Sequence, residues 1–540
     1  MCYNILTIKE EIMAAIIHQK DKRSGITYAY ESVSYWDKEK KQSRAKRRLI
    51  GRVDDATGKI VPTDGRGHRR GKAKVATTEV STRSFYGATY LLDAIGEKIG
   101  ITDDLKRCFP DTYKQILSLA YYLVLEENNP LFRFEKWSLL HRHPYKENIP
   151  SQRSSELFAS VTEDAKEKFF LLQSRRRVDN EYWAYDTTSI SSYSQQLSQV
   201  QYGHNKESDP LAQINLAIVF GESSNLPFYY RKLSGNTPDV HTIKQLLLDL
   251  KQMGKPKVKL VMDRGFYSKA NVNKLLQQHQ KFLLSLSMSL KFTKESLDSI
   301  YDTFRSFEHY DSNYELYYNT VTTTWDYEEY HPRKKKSSQS KKRVYIHYYY
   351  NIEKAGEDEK RFDRRLSELS REILEDRRLS KHEKLYAKYF IIKQTAKRGI
   401  KVTVKEEAIQ KAKRYFGFFA LLSNEAMDAI SALEIYRNKD VVEKAFGNLK
   451  ERLNMRRMLV SSEQSLDGKL FVEFIALIYL SYIKKQMQTH QLFKSYTLQS
   501  LLDQVDLIEC FERPGNKLQV GEILQKQKKI YEYMDVEVPI

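Results

Sequence analysis

The sequence predicts a mixed α/β protein built around a sheet that contains both antiparallel and parallel strands. From Tyr182 to Leu286, three strand-like runs come first, and a helix, a strand, a second helix and a further strand follow. Three antiparallel strands followed by helix-connected strands are typical of a mixed sheet. At 540 residues the chain is also long enough to bury the cores of several domains.

The composition points to an anionic partner. Lys and Arg total 90 against 70 Asp and Glu, which gives a net charge of +20. Such an excess favours nucleic acid or a membrane surface, although a generic basic surface has the same composition. The most apolar run, Leu470 to Ile483, contains Glu473 and is too short to span a bilayer, so it predicts a buried helix. Nucleic acid is therefore the expected partner, and a membrane is not.

The cysteines exclude two classes of small scaffold. Cys2, Cys108 and Cys510 lie far apart and form no Cys-x-x-Cys pair. Zinc fingers and disulfide-bonded scaffolds are therefore poor interpretations, and a reducing cytoplasm fits the composition. The first residues also lack the basic-then-apolar order of a secretory signal. We expect a cytoplasmic protein.

Residues 1–80 form the first predicted region, a basic β-unit. Between Ile26 and Pro62, β-forming residues alternate with turn residues, which predicts a small twisted sheet. Its hairpin is basic and includes Lys46, Arg47 and Arg48, and a second basic loop of residues 66–74 follows. Two basic runs so close together favour contact with DNA phosphates, with a solvated surface as the alternative.

Five further regions follow along the chain. Helical periodicity predicts a helical connector over 81–175, and the strand pattern predicts the first part of the α/β core over 176–290. Residues 291–414 break this order with Tyr-rich strand-like runs and a charged helix, which indicates an inserted subdomain. The core resumes over 415–490, and a helical tail is predicted over 491–540.

Two carboxylates stand in the predicted strands. Asp186 interrupts a run of aromatic and β-branched residues, and Asp263 ends the strand "VKLVM". Each has an ordinary explanation, a sheet edge or turn for Asp186 and a helix cap for Asp263. If the first strand lies beside the first helix-connected strand, the two side chains meet at the carboxyl end of the sheet, where open α/β sheets bind ligands. Close carboxylates stay ionised around a cation, and oxygen-only ligands suit Mg²⁺ or Mn²⁺.

A third carboxylate lies in the stretch "IYRNKDVVEKAFGNLK". Tyr436, Glu443 and Lys450 are seven residues apart, so on a continuous α-helix they form one stripe, which Lys439 joins from four residues before Glu443. Glu443 would complete a triad of acids, while the hydroxyl and the two ammonium groups would hold phosphates. A surface helix with ion pairs is the alternative. Apolar residues beside the stripe would pack the helix on the sheet, namely Val442, Phe446 and Leu449.

The motifs "YWAYDTTSIS", "KLVMDRGFYS" and "YRNKDVVEKAFGNLK", in this order, resemble the Asp-Asp-Glu transposases of bacterial insertion sequences, and specifically the insertion-sequence-four superfamily. The signature of that superfamily on the Glu helix is Tyr-x2-Arg-x3-Glu-x6-Lys. Tyr436, Glu443 and Lys450 match it, whereas Lys439 stands at the Arg position. Lysine keeps the charge and loses the bidentate fork, which affects the detail of a phosphate contact. The stretches "SGNTPDVHTI" and "FGFFALLSN" extend the resemblance over most of the chain.

The resemblance implies an RNase H-like catalytic domain interrupted by a β-rich insertion. It implies a transposase that binds inverted terminal repeats and then cuts and joins double-stranded DNA with two Mg²⁺ or Mn²⁺ ions. Asp186 would bridge both ions, and Asp263 and Glu443 would complete one each. The implied setting is a homodimer on element ends and target DNA, at the nucleoid of a bacterial cytoplasm. If the ends form hairpins, Trp325 in the insertion is the expected base-stacking residue, with packing between strands as the alternative.

Two other functions remain open at this point. A domesticated DNA-binding relative would keep the basic surfaces without the acids, and all three acids are present in intact contexts. A metal-dependent nuclease would cut without joining. The stripe of Tyr436, Glu443 and Lys450 is the feature of the sequence that favours a transposase over that nuclease.

Overall fold

The computed structural model describes the chain from residue 15 to residue 540 except at 38–39, 63–81, 177–180, 195, 207–208, 256, 332–335, 396–398, 454–456, 459, 461 and 514. The chain divides into two compact units, Met1–Val80 and Ser81–Ile540. The predicted basic loop of residues 66–74 lies outside the described residues.

The first unit is an antiparallel sheet with the order β1-β2-β3-β4. Its strands are β1 (Ala15–Lys20), β2 (Thr27–Asp37), β3 (Gln42–Val53) and β4 (Ile60–Val61). The turn between β1 and β2 passes through Gly25 at φ 70°, and the turn between β3 and β4 passes through Gly58 at φ 69°. Both values lie in the left-handed region that glycine adopts without a steric cost.

The second unit begins with a short strand and six helices. They are β5 (Thr82–Phe85), α1 (Gly87–Lys98), α2 (Ile101–Cys108), α3 (Tyr113–Leu125), α4 (Phe134–Leu140), α5 (Ser151–Ser160) and α6 (Glu163–Arg175). The next part follows the predicted order of three strands, helix, strand, helix and strand. These elements are β6 (Tyr182–Ser192), β7 (Gln213–Gly221), β8 (Pro227–Ser234), α7 (Asp239–Gln252), β9 (Lys259–Met262), α8 (Lys269–Gln277) and β10 (Lys281–Leu286).

The remaining elements complete the second unit. Residues 291–414 contain α9 (Lys291–Asp298), β11 (Tyr310–Asp311), β12 (Leu316–His331), β13 (Lys336–Tyr350), α10 (Ile352–Leu374), α11 (Glu383–Tyr389), β14 (Phe390–Thr395), β15 (Gly399–Val404) and α12 (Glu406–Lys413). After them come β16 (Phe418–Ser423), α13 (Ala429–Asn438), α14 (Asp440–Gly447), β17 (Arg457–Met458), α15 (Glu463–Thr489), α16 (Leu498–Asp506), β18 (Glu509–Glu512), β19 (Gln519–Val520) and α17 (Gln525–Tyr533).

The predicted mixed sheet is confirmed. Its strand order is β11-β12-β13-β16-β10-β9-β6-β7-β8, with β17 also paired to β6. β7 and β8 run antiparallel to their neighbours, whereas β6, β9 and β10 are mutually parallel. Every residue of β6 and β7 is buried, and both strands are central, with a neighbouring strand paired at each edge.

The predicted inserted subdomain of residues 291–414 falls into two parts. Its long strands β12 and β13 belong to the central sheet, since β13 pairs with β16 from Tyr350 and Phe418 to Tyr345 and Ser423. The helices α10 to α12 and the hairpin of β14 and β15 have a small apolar core of their own. A long strand rich in tyrosine and β-branched residues gains more by pairing with an open sheet edge than by forming an isolated hairpin.

Helix α15 is a buried helix, as the apolar run predicted. Its residues from Leu470 to Ile483 are buried, and the helix packs against α3 and α5. At Gly468 an added Cβ would lie 2.1 Å from the carbonyl oxygen of Phe158, so glycine permits the close approach of α15 and α5. Within the described ranges, no helix has the length and apolar character needed to span a membrane.

Candidate active site

Two of the predicted acids lie side by side at the carboxyl end of β9. β6 and β9 pair in parallel with Tyr185 opposite Met262, so the next residues, Asp186 and Asp263, occupy adjacent positions. The sequence reasoning required the first strand to lie beside the first helix-connected strand, and the structure confirms that pairing. Asp186 remains on β6 and its side chain is only 10% exposed, whereas Asp263 follows the last residue of β9 and its side chain is 37% exposed.

The third acid, Glu443, approaches from a helix packed on the same sheet. Helix α14 lies against β6 and β7. The apolar residues are buried as predicted, with Val442 at 0% and Phe446 at 7% exposure on α14 and Leu449 at 2% on the turn that follows it. Glu443 lies next to Val442 on the same turn, and its side chain is 58% exposed. Burial of the apolar residues therefore fixes the direction in which Glu443 points.

The three carboxylates surround the ammonium group of Lys439. Its Nζ lies 3.9 Å from Asp186 Oδ2, 3.6 Å from Asp263 Oδ1 and 3.3 Å from Glu443 Oε1. The Lys439 side chain is 1% exposed, so these ion pairs are shielded from solvent on the lysine side. A single cation thus neutralises a part of the charge that three acids bring to the end of the sheet.

In this group, burial and the neighbouring charges act in opposite directions on the pKa values of Lys439 and Asp186. Burial alone would lower the pKa of Lys439, but the carboxylates of Asp263, Asp186 and Glu443 outweigh burial and raise it. For Asp186, burial raises the pKa, and the nearby ammonium groups of Lys206 and Lys439 only partly oppose it. The fold therefore stabilises the ammonium of Lys439 and disfavours the charge of Asp186.

A second cation contacts Asp186 from the other side. Lys206 Nζ lies 3.7 Å from Asp186 Oδ1 and 3.3 Å from Asp239 Oδ2, and it donates to the carbonyl oxygen of Thr187 at 2.5 Å. The Thr187 hydroxyl donates to Asp239, the first residue of α7. Sequence reasoning missed both residues. Asp239 lies in the stretch "SGNTPDVHTI" and could have been found there, whereas Lys206 lies in a loop without a recognisable pattern.

Tyr436 reaches the second acid directly. Its hydroxyl donates a hydrogen bond to Asp263 Oδ1. Burial and the negative charge of Asp263 raise the pKa of Tyr436 far above its ordinary value, so the phenol stays protonated and remains a donor. Tyr436 therefore restricts the orientation of the Asp263 carboxylate.

The predicted continuous stripe is interrupted. Helix α13 ends at Asn438, α14 begins at Asp440, and a π-helical turn covers Asn448–Arg452. A spacing of seven residues returns to the same face only in a regular α-helix. Tyr436, Lys439 and Glu443 still share the site, because each contacts another member of it. Lys450 lies on the π-helical turn and is 8% exposed; the seven-residue spacing alone does not align it with Glu443 there, and its contact with DNA stays a prediction.

Trp325 is packed within the second unit. Its indole N–H donates to Asn273 Oδ1 at 2.8 Å, and its ring meets the Phe292 ring edge to face at 5.7 Å between centroids. A ring that stacks on a base needs a free face, whereas Trp325 is partly buried against the core. These contacts support the packing alternative, and the base-stacking role of Trp325 stays a prediction.

In the first unit, the three basic residues predicted to bind DNA do not share one face of the sheet. β2 and β3 pair in regular register from Glu31 to Asp37, and successive residues of a strand point to opposite faces. Lys46 and Arg48 consequently lie on one face and Arg47 lies on the other. The predicted cluster is therefore divided between two surfaces.

The acids fit a divalent cation in chemistry but require a rearrangement to hold one. Carboxylate oxygens are the donors that Mg²⁺ and Mn²⁺ prefer, and Asp186, Asp263 and Glu443 all lie within 3.9 Å of one positively charged atom. As placed, however, no group of three or more His, Cys, Asp or Glu within the described residues could hold a metal ion. The Lys439 ammonium would have to leave the centre of the group for a metal ion to enter.

One of three comparisons with known proteins identifies a family. The family model described as "Transposase DDE domain" matches residues 181–479, more than half of the chain, and this range includes Asp186, Asp263 and Glu443. A search of curated protein sequences finds no significant match. Among solved structures, the chain is similar to a chain of the cryo-EM structure titled "piggyBac transposase synaptic complex with hairpin DNA". That similarity has 10% identity, covers 78% of this chain and 77% of the other, and has a TM-score of 0.36, too low to support an inference. By its family match, this chain belongs to the transposase DDE domain family.

Proposed function

We propose that the protein is a DNA transposase that binds the inverted terminal repeats of an insertion sequence and catalyses metal-dependent cleavage and strand transfer. The observation that carries this proposal is the convergence of Asp186, Asp263 and Glu443 on one buried cation at the end of β9. Three acids from two strands and a helix, far apart in the chain, are costly to bring together unless they bind cations together.

The finer family assignment rests on the sheet and on the Glu helix. The strand order β8-β7-β6-β9-β10, with the first three antiparallel and the last two parallel to β6, supports an RNase H-like catalytic domain. The signature residues Tyr436, Glu443 and Lys450 support the bacterial insertion-sequence-four superfamily. We accordingly propose a bacterial cytoplasmic protein that acts at the nucleoid.

Asp186, Asp263 and Glu443 are the proposed ligands of two Mg²⁺ or Mn²⁺ ions. When bound, such ions supply Lewis-acid activation of the attacking hydroxyl and stabilise the leaving oxygen. Asp186 is the proposed shared ligand, because it is the most buried of the three acids and lies beside both other elements of the site.

The neighbouring side chains orient these acids and contact DNA. Tyr436 holds one oxygen of Asp263 through its hydroxyl, and Lys206 holds one oxygen of Asp186. The ammonium of Lys439, once released from the acids, is placed to contact a phosphate beside the scissile bond. Lys450 is retained as a proposed DNA contact from the family signature alone.

Two alternatives are distinguished by activity. A nuclease would cut element ends without joining them, and a domesticated relative would bind DNA without cutting it. The structure favours an active site over a decayed one, because the three acids keep compensating cations and a donor hydroxyl around them. Strand joining needs two DNA ends in one complex, for which we propose a homodimer.

The first test is to identify the substrate and measure cleavage. Inverted repeats in the DNA that flanks the reading frame would supply labelled end duplexes. The protein should cut them with Mg²⁺ and join the resulting 3′-hydroxyls to a plasmid target. Alanine at Asp186, Asp263 or Glu443 should abolish cutting and joining while leaving end binding largely intact.

The matched controls are other glutamates close to the Glu helix. Glu434 accepts a hydrogen bond from the Tyr314 hydroxyl at 2.8 Å, and Glu451 is exposed on the π-helical turn. Alanine at either position should leave cleavage near the wild-type rate. Substantial cleavage by the variant of any one acid would remove that acid from the site, and cutting without joining would establish the nuclease alternative.

A further inference from the structure

The hairpin of β2 and β3 extends beyond the rest of its sheet. β1 pairs with β2 only over Thr27–Ser32, and β4 pairs only with the last two residues of β3. Within the described residues, Val33–Asp37 and Gln42–Lys46 therefore pair only with each other. This part of the hairpin is a two-stranded ribbon, and every side chain on its β3 strand is exposed.

Positive charge is concentrated in this hairpin. Residues 33–48 contain seven Lys or Arg and two Asp or Glu, a net charge of +5, while all 540 residues together carry +20. An exposed ribbon with this charge needs an anionic partner or a surrounding of counterions. A regular row of cations on one face of the ribbon would favour an anionic partner.

One face of the ribbon carries a regular row of cations. Arg44, Lys46 and Arg48 alternate along β3 and so point the same way; we call this row the basic face. Their partners across the strand pair are Tyr35, Val33 and Glu31, respectively. Lys46 is therefore the member of the row that lies opposite an apolar residue.

Side-chain contacts agree with this division. Arg44 Nη1 lies 3.5 Å from Asp37 Oδ2, and residues 44 and 37 belong to the same face by register. Arg47 Nη1 lies 3.5 Å from Gln19 Oε1 of β1, on the opposite face. Arg47 and Arg48 thus offer the same side chain, both exposed and one residue apart, on opposite surfaces.

The geometry of the basic face matches duplex DNA. Alternate residues of a strand are about 6.7 Å apart, close to the rise of two base pairs along the helix axis. The major groove of B-DNA admits a two-stranded β-ribbon. A row of three cations with this spacing can therefore follow one phosphate backbone while the ribbon lies in the groove.

We propose that the ribbon of β2 and β3 binds double-stranded DNA through the basic face of Arg44, Lys46 and Arg48, and that Arg47 takes no part. This inference rests on the proposed function, in which the protein binds DNA, and it adds which surface makes the contact. Lys46 contributes most, because Asp37 already pairs with Arg44 and Glu31 lies across from Arg48.

The test compares Lys46→Gln, Arg48→Gln and Arg47→Gln in the full chain. Binding to a fluorescent 30-base-pair duplex is measured by anisotropy over a series of KCl concentrations, without divalent ions. Each lost phosphate contact should reduce the slope of log K against log salt by about 0.9. We expect that reduction for Lys46→Gln and Arg48→Gln and an unchanged slope for Arg47→Gln, with unchanged melting temperatures for all three because the side chains are exposed.

The outcomes separate this inference from the proposed function. An equal loss of slope in Arg47→Gln and Arg48→Gln, or no loss in Lys46→Gln, would overturn the basic face. Tighter binding to duplex RNA of the same sequence than to the DNA would overturn the assignment of the partner. Since no divalent ion is added, a wild-type protein that fails to cut element ends would refute the transposase proposal without changing these slopes.

Discussion

Replacing Lys439 with methionine removes the ammonium that lies within 3.9 Å of Asp186, Asp263 and Glu443. Methionine is unbranched like the lysine stem and lacks only the terminal charged atom, so the main change is electrostatic. Because the carboxylates outweigh burial and raise the pKa of Lys439 above 10.5, the folded protein stabilises the charged form. By linkage, that stabilisation is fully present below the pKa of the unfolded chain and is lost as the pH rises through the higher pKa of the folded protein.

The expected loss follows from the exposure of the partners. Removing one member of a fully buried ion pair costs about 3–5 kcal/mol. Here the side chains of Asp263 and Glu443 are 37% and 58% exposed, and exposed pairs contribute about 1 kcal/mol or less. We therefore expect Lys439→Met to lose about 1–3 kcal/mol of unfolding free energy without metal, and each kcal/mol corresponds to about 1 °C of melting temperature for a chain of this length.

Thermal melting in EDTA and then in Mn²⁺ measures this effect. If a divalent ion replaces the ammonium among the three acids, the ion should stabilise Lys439→Met more than wild type. The difference in melting temperature between the two proteins should therefore narrow as Mn²⁺ is added. Lys444→Met is the control, because Lys444 is exposed and lines a separate cavity beside Arg437 and Lys484. Its melting temperature should stay near that of wild type in both conditions.

Two results would refute this reasoning. Lys439→Met could have the same melting temperature as wild type in EDTA, which would mean that the ammonium does not compensate the charge of the acids. Alternatively, the gap could persist unchanged at saturating Mn²⁺, which would mean that a metal ion and the ammonium do not compete for one place.

Three further predictions concern single side chains. Burial raises the pKa of Asp186, although Lys206 and Lys439 oppose the rise. Ionisation of Asp186 therefore lowers the stability of the folded protein as the pH rises. The variant Asp186→Asn should melt at a higher temperature than wild type in EDTA at pH 8 and at the same temperature as wild type near pH 3. Trp325→Ala should lose about 1–3 kcal/mol by denaturant unfolding, because it removes a partly buried ring, and should slow all DNA steps together. Glu473 is 1% exposed, and burial raises its pKa from 4.5 to about 7. The unfolding free energy of Glu473→Gln should therefore exceed that of wild type by about 3 kcal/mol at most near pH 8 and should equal it near pH 4. Equal melting temperatures of the variant and wild type at both pH values would contradict this.

Local patterns in the sequence determined the elements and the three acids. Runs of aromatic and β-branched residues, separated by turn residues and by helical patterns, predicted β6 to β10 in the observed order. Asp186 was found because a carboxylate in such a strand is costly without compensation. The periodicity of the Glu helix likewise predicted that Val442, Phe446 and Leu449 are buried.

Long-range contacts decided what surrounds the acids. Lys206 and Asp239 reach Asp186 and Thr187 from other segments, and no local pattern records such a contact. Lys439 was expected to flank Glu443, but its place among all three acids depends on the break in the helix at residue 439 and on the pairing of β6 with β9.

The tertiary structure also corrected predictions that assumed regular or isolated elements. The π-helical turn changes the direction of Lys450, since angular position accumulates over every turn before it. The sequence alone determined which residues are costly to bury, whereas the tertiary structure decided which partners compensate them, because compensation depends on distances between segments that are remote in the chain.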